Sequence, residues 1–360
     1  MGMQDNLDLL IVGGGPCGLA CAAAAQKAGL NYVVVERGCI ANSIARFPVN
    51  MTFFSTSERL AIGDIPFITP KPNPTRQEAL AYYRQVTDAL ALKVLTYREV
   101  TRVERAGGDG FVVDTVDSRT GRGERRCRTN ALVIATGYFD NPNRLQVPGE
   151  DLPHVSHYFD DAHPYYGRRV VVVGGRNSAV EAALELHRAG ARVTLVHRGE
   201  DLSDRVKPWI LPFIRTRLSK QEIDSRFGSR VTAIDEEGLT VEGPQGRERL
   251  PADFVFLLTG YRPDHSLLQR LGVEIDPATG RPRWNGNTME TNVPGLYVAG
   301  VLAAGYDANQ IFIENGRFHG IKIVRHLLAQ RGLDQAFLDQ LLPLPADADS
   351  VDDPALTVEP

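Results

Sequence analysis

An α/β fold with two Rossmann-like dinucleotide-binding domains is predicted by three observations. Two glycine-rich loops each follow a short apolar strand and open a helix, and three later apolar strands, at 131–137, 254–260 and 295–300, each end in glycine. The first loop is Gly13-Gly14-Gly15-Pro16-Cys17-Gly18, set between the run Leu7–Val12 and a helix of small residues over 16–28. Gly13, Gly15 and Gly18 match G-x-G-x-x-G, where the first glycine permits the turn. The second lets the backbone approach a pyrophosphate, and the third lets helix and strand pack closely. Pro16, Cys17 and Gly18 begin the helix, whose free N–H groups and partial positive charge suit phosphate. A second strand, Tyr32–Val35, ends in Glu36-Arg37, about 20 residues beyond the loop, where a carboxylate grips a ribose hydroxyl.

The second loop repeats this order with one substitution. Val170–Val173 reads as a buried strand, followed by Gly174-Gly175-Arg176-Asn177-Ser178 and a helix through Ala189 that Gly190 ends. Val193–Val196 is the next strand, and His197-Arg198 stands where the first unit has Glu36-Arg37. Cationic donors there suit a 2′-phosphate, so this half is expected to prefer NADPH to NADH. Arg176 replaces the second glycine of the fingerprint, and two readings stay open: a phosphate contact, or a tolerated surface residue.

Bulk properties fit an enzyme in a reducing cytoplasm. The chain has 360 residues, enough for two domains, and a net charge of −4, which points to neither nucleic acid nor an anionic membrane. The N-terminus shows no basic start or hydrophobic signal core, and no apolar run approaches the roughly 20 residues of a membrane span. Cysteines at 17, 21, 39 and 127 form neither C-x-x-C nor a zinc pattern, so no metal is expected.

The remaining strands order the architecture. ALVIATG ends at Thr136-Gly137, FVFLLTG at Thr259-Gly260 and GLYVAG at Gly300, the last followed by a loop and a helix expected over 310–329. With the two loops, this order resembles the flavoproteins that carry two dinucleotide-binding domains, over about residues 7 to 335. The resemblance implies FAD at the first loop and NADPH at the second. It also implies that Gly300, Gln310 and Ile311 close the flavin site, with the helix start facing the flavin pyrimidine edge. The usual Asp after the late glycine is Val301 here. An FAD domain of 1–150 plus 286–335 is therefore expected, with an NADPH domain of 155–280 inserted, a β-meander over about 93–135, and a disordered tail at 343–360. Tyr82 and Tyr83, on a helix over 76–91, read as packing. Related flavoproteins suggest a homo-oligomer by analogy.

The general layout resembles low-molecular-weight thioredoxin reductase, but the segment Val155-Ser156-His157-Tyr158-Phe159 lacks the C-x-x-C of that family, which excludes a relay through such a dithiol. The ferredoxin-type reductase also lacks it. Longer runs are more specific: GGGPCGLA at Gly13, MTFFSTSERLAIGD at Met51, ALAYYRQV at Ala79, ATGYFDNPN at Ala135, KPWILP at Lys207, TGYRPDHS at Thr259 and IFIENGRFHG at Ile311. These resemble the bacillithiol disulfide reductase family across most of the chain. The resemblance implies an NADPH-dependent FAD enzyme acting on a small-molecule disulfide, and it includes Cys17 in the family pattern.

Cys17 leaves two readings open. At a helix start a thiol is lowered toward thiolate and can attack a disulfide. Alternatively it packs as a small residue against the cofactor, whose phosphates oppose a thiolate. Cys21, one turn on, reads as helix packing. His319 and His157 are further candidates for proton transfer. Lys207 and Arg46 are candidates for an NADPH phosphate or a substrate carboxylate, and Asn50 belongs to the flavin-proximal run Asn50–Phe54. Three other functions remain to be weighed: a flavin monooxygenase, a ferredoxin-type reductase, and a non-catalytic flavoprotein sensing NADPH or thiol state.

Overall fold

The computed structural model describes residues 6–107, 110–307, 310–346 and 348, and divides into two compact units. Among the described residues, the first comprises those up to Ala45, Met51–Asn141 and those from Arg262 to Ala348. The second comprises Arg46–Asn50 and Pro142–Tyr261. The tail expected to be disordered lies largely outside the described residues.

In the first unit, a sheet runs in the order Val94–Leu95, Tyr32–Val35, Leu7–Val12, Arg125–Ile134, Phe111–Asp117, Arg98–Arg105. Leu296–Val298 also pairs with Arg125–Ile134. One strand thus serves two architectures. Its first half, RRCRT, alternates exposed and buried residues and pairs antiparallel with Phe111–Asp117. Its second half, ALVI, is wholly buried and pairs in parallel with Leu7–Val12 and Leu296–Val298. The pattern follows from its cover: a half-solvated meander alternates, whereas a parallel sheet between two layers is apolar throughout.

The first nucleotide helix, Pro16–Lys27, is buried from Gly18 through Ala25, because small residues let it lie close to its neighbours. Its partner is the late helix His319–Gln330, where a Cβ at Gly320 would come 2.4 Å from Cys21 Cα. Cys21 is fully buried in that crossing. The helix Arg76–Ala89 opens with a capping box in which Thr75 and Glu78 exchange side-chain and backbone hydrogen bonds. Tyr82 and Tyr83 pack beneath it, with the Tyr82 hydroxyl donating to Ile65 O at 2.7 Å.

The second unit has a parallel sheet in the order Asp224–Arg226, Arg192–Val196, Arg169–Val173, Phe254–Leu257, Val155–Ser156. Alternate residues of its central strand feed two cores. Val170 and Val172 pack on the helix Asn177–Arg188, and Val171 and Val173 pack on an antiparallel meander of Arg230–Asp235, Gly238–Gly243 and Gly246–Pro251.

Two expected boundaries are corrected. The second unit ends at Tyr261, not at 280, so residues 262–280 belong with the first unit rather than the second. Tyr306 N–H donates to Thr279 O at 2.8 Å and the Trp284 indole donates to Ala303 O at 3.0 Å, which ties this stretch to the late flavin-type segment. The helix expected over 310–329 is broken into a single turn, Ile313–Gly316, and the longer His319–Gln330. Asn315 caps the start of the single turn: its amide oxygen accepts from Phe312 N–H at 2.9 Å and its NH2 donates to Gln310 O at 3.1 Å. Gly316 then needs to lie close to Gly300, since a Cβ there would meet Gly300 Cα at 3.3 Å.

Candidate functional site

The first loop has the shape of a cradle. Gly13 has φ +110°, and a Cβ on it would lie 2.5 Å from Ala135 O. A Cβ on Gly18 would lie 1.9 Å from Gly13 O. Between these two crowded positions, a Cβ on Gly15 would meet nothing within 4 Å. The loop is therefore closed against the sheet and open toward the side a pyrophosphate occupies. The first N–H groups of a helix lack intrahelical acceptors, and Pro16 at the first position has no N–H to leave unpaired. The amides of Cys17 and Gly18 remain to receive an anion.

Glu36 fastens the loop to the next strand. Its Oε2 accepts from Gly14 N–H and its Oε1 from Gly38 N–H, each at 2.6 Å. Burial raises its pKa, and those two amide hydrogen bonds pull it back. Each carboxylate oxygen keeps a second lone pair for a ribose hydroxyl. Arg37 pairs with Asp140 at 2.8 Å. Ala135-Thr136-Gly137 runs beside the loop, with Thr136 exposed and Gly137 at φ +69°. The residues present fit a flavin adenine dinucleotide's adenosine and pyrophosphate by shape and donor set. Gln310 is exposed and Ile311 is buried, but both precede the short turn Ile313–Gly316 instead of beginning a long helix.

Cys17 does not fit the expectation of a lowered thiol. Burial pushes it up to about 12, and its Sγ lies against two glycines: a Cβ on Gly300 would come 3.0 Å from it and one on Gly316 2.8 Å. The helix start is outweighed because desolvation acts on the thiolate at full strength where no cation answers it. Iodoacetamide is accordingly expected to label Cys17 more slowly than Cys39 at neutral pH, because burial alone acts on Cys17, whereas a backbone amide and Arg84 partly offset the effect of burial on Cys39. Peptide mass mapping of the labelled protein checks this, and preferential labelling of Cys17 would show a thiolate there.

His319 is buried and holds the late strand's turn: its Nδ1 accepts from Gly300 N–H at 3.1 Å. A neutral ring then carries its proton on Nε2. His157, in the second unit, has Nε2 3.4 Å from Glu150 Oε1, and burial lowers its pKa, so it is a neutral imidazole at pH 7. Glu150 is itself engaged by Leu145 N–H and Gln146 N–H at 2.8 and 2.7 Å.

The second loop has a related shape and different chemistry. Gly174 has φ +152°, and its Cβ would meet Leu258 O at 2.5 Å. A Cβ on Gly175 would strike the His197 ring at 2.4 Å. His197 is thus packed flat on the loop, and burial together with Arg198 and Arg176 lowers its pKa. It is not the resting cation expected from the sequence; the exposed Arg176 and Arg198 are the positive groups. Ser178 is exposed at the helix start, whereas the Asn177 side chain turns away: Oδ1 accepts from Lys207 N–H at 2.9 Å and Nδ2 donates to Arg205 O at 3.3 Å. Ser203 N–H donates to Gly175 O at 3.0 Å, so the segment 203–207 folds over this loop. Sequence reading missed that segment, although the short D-L-S-D run at 201–204 is a turn signal.

Four other predicted contacts are redirected. Lys207 Nζ pairs with Glu181 at 2.9 Å, and Arg46 lies over the Tyr158 ring at 4.3 Å, so both cations already have structural partners. Asn50 sits in Arg46–Asn50, where Val49 N–H donates to Asp160 O at 2.7 Å, which places it with the second unit instead of the first loop. The Thr259 hydroxyl donates to Asn143 O at 2.6 Å, and Gly260 O accepts from Asn143 N–H at 2.9 Å. Thr259-Gly260 therefore fastens the chain's exit instead of presenting its hydroxyl to a nucleotide.

Two dinucleotide loops, one closed by an acid and one ringed by arginines, define a flavin- and nicotinamide-dependent oxidoreductase of two nucleotide-binding units. Comparison with known proteins sharpens the class. The chain belongs to the pyridine nucleotide-disulphide oxidoreductase family, which matches residues 10–300, and within it groups with the bacilliredoxin reductase Bdr proteins. It is 47% identical over 312 residues to "Bacilliredoxin reductase Bdr" of Bacillus subtilis (strain 168), covering 86% of this chain and 94% of that protein. The solved "Bacillithiol Disulfide Reductase Bdr (YpdA)" of Bacillus cereus has a TM-score of 0.88 at 46% identity, covering 91% of this chain and 100% of that one. The Staphylococcus aureus structure of the same name has a TM-score of 0.85 at 42% identity, with 91% and 100% covered. Thioredoxin reductase of Lactococcus lactis shares the fold, with a TM-score of 0.70 at 21% identity and 90% and 98% covered. Among the described residues, no helix is long and apolar enough to cross a membrane.

Proposed function

We propose that this chain is an NADPH-dependent FAD enzyme that reduces the disulfide of a low-molecular-weight thiol, with oxidised bacillithiol as its substrate. The observation that carries the reading is the glycine cradle, crowded at Gly13 and Gly18 and open at Gly15, on a chain 46% identical to a bacillithiol disulfide reductase. The net reaction joins one disulfide, one NADPH and one proton to give two thiols and NADP+. Bound FAD supplies the two-electron carrier between nicotinamide and disulfide. Glu36 holds the adenosine ribose, and the amides of Cys17 and Gly18 receive the pyrophosphate. His319 acts as a positioning residue by holding Gly300 N–H, so that Gly300 and Gly316 stay close to Cys17. In the second unit, Arg176 and Arg198 bind the 2′-phosphate and Ser178 offers its hydroxyl at the helix start.

The test is anaerobic. NADPH is used to reduce the flavin of the holoenzyme, oxidised bacillithiol is added, and the oxidised flavin absorbance is followed. Reoxidation is expected, and its absence overturns the substrate assignment. Cys17→Ala separates two electron routes: an unchanged rate means the thiol only packs, and a reduced rate means it relays. Oxygen uptake matched to a hydroxylated product would instead favour a monooxygenase, and binding of both nucleotides without turnover would favour a sensor.

A further inference from the structure

We infer that His197 is a proton-linked specificity residue, which takes up a proton when the 2′-phosphate of NADP(H) binds and so strengthens selection of the phosphorylated nucleotide as pH falls. The inference rests on the proposed NADPH site and adds a mechanism to it. Position is the first support. The ring lies against Gly175, where a Cβ would come within 2.4–2.5 Å of three ring atoms, and beside Gly199, whose Cβ would be 2.9 Å from Nε2. The backbone is held on both sides, with His197 N–H donating to Arg226 O at 2.9 Å and His197 O accepting from Ser229 N–H at 3.0 Å. The main chain is thus anchored on both sides of the residue, with the ring seated against the loop.

Charge is the second support. Neither ring nitrogen has a hydrogen-bond partner among the described residues, and the flanking groups are the exposed guanidiniums of Arg176 and Arg198. Around these, Arg226 is paired with Glu248 and Asp201 with Arg215, while Glu200, Asp204 and Arg205 are exposed on the turn and its covering segment. In the free protein, desolvation and the two arginines hold the imidazole neutral. A dianionic phosphate placed between those arginines reverses the local charge and gives the ring an acceptor for a new N–H. The sign follows by linkage. A pKa that rises on binding makes binding take up a proton, with its gain fully present below the free value and lost above the bound value.

The experiment uses intact holoenzyme with NADP+ and NAD+, which bind without reducing the flavin. Titration calorimetry in two buffers of different ionisation enthalpy, near pH 7, counts protons taken up. Most free 2′-phosphate is already dianionic there, with its own pKa near about 6. Uptake with NADP+ and none with NAD+ is expected. The ratio of NADP+ affinity in the parent to that in His197→Asn is expected to fall about tenfold between about pH 6 and about pH 8, a comparison in which the phosphate's own titration cancels. NADP+ preference without proton uptake overturns the role of His197 and leaves the nucleotide assignment standing; equal affinity for NADP+ and NAD+ overturns both. The proton count on the parent decides the matter even if the variant fails to fold.

Discussion

Gly18→Ala is expected to purify without flavin. The added methyl would sit 1.9 Å from Gly13 O, and its neighbours there are backbone atoms and the Ala135 methyl, none of which can rotate aside. Either the helix start moves off the strand or the Gly13 turn opens, and both displace the amides that receive the pyrophosphate. Overpacking at a rigid contact costs about 1–3 kcal/mol, and the same displacement falls on every phosphate contact. A loss of at least about 100-fold in FAD affinity is therefore expected. Gly15→Ala is the companion variant. Its methyl meets no protein atom within 4 Å, so the apoprotein should keep the parent's unfolding midpoint while losing flavin to the occupied path. The ratio of flavin to protein absorbance and the thermal midpoint measure both. Full flavin occupancy in Gly18→Ala would mean that the loop is not the cofactor cradle.

Much of this site was legible because its determinants are local. A glycine that must adopt φ +110°, or must admit a backbone oxygen, appears as glycine in the sequence, and Glu36 follows a strand whose end is visible as YVVV. What could not be read was set by distant chain. The state of Cys17 depends on Gly300 and Gly316, which pack against its sulfur, and not on the helix it begins. His197 looked like a cation because its type and position suit one, but Gly175 and two neighbouring arginines keep it neutral. Lys207 looked free beside Pro208-Trp209 until Glu181, on the nucleotide helix, proved to hold it. The domain boundary was missed for a similar reason. Nothing in the composition of 262–285 changes, and hydrogen bonds to later residues, among them Tyr306 N–H to Thr279 O, the Trp284 indole to Ala303 O and Glu274 N–H to Asn292 Oδ1, assign it to the first unit.

Replacing both Arg176 and Arg198 by alanine is expected to remove the preference for NADPH. Both side chains are exposed at the loop and at the end of the adjoining strand, and both act electrostatically on the His197 ring. The proposed nucleotide site gives them one phosphate to share, although they come from different turns. A charge-assisted hydrogen bond contributes about 1.5–3 kcal/mol. Each single variant should then lower kcat/KM for NADPH by about 10- to 150-fold and leave NADH nearly unchanged, since the 2′-hydroxyl offers no charge to either arginine. At a pH high enough to keep His197 neutral in the complex, the double variant should treat the two nucleotides alike, with coupling between the neighbouring sites making its loss differ from the product of the singles. A phosphate held by exposed arginines is also screened by salt, so the parent's preference should decline from about 0.01 M to about 0.15 M ionic strength while the double variant's does not. Equal losses for both nucleotides would point to a collapsed loop instead. Unchanged discrimination in the double variant would assign the 2′-phosphate to other groups, of which Arg205, carried on the segment that Asn177 holds over the loop, is the next to replace.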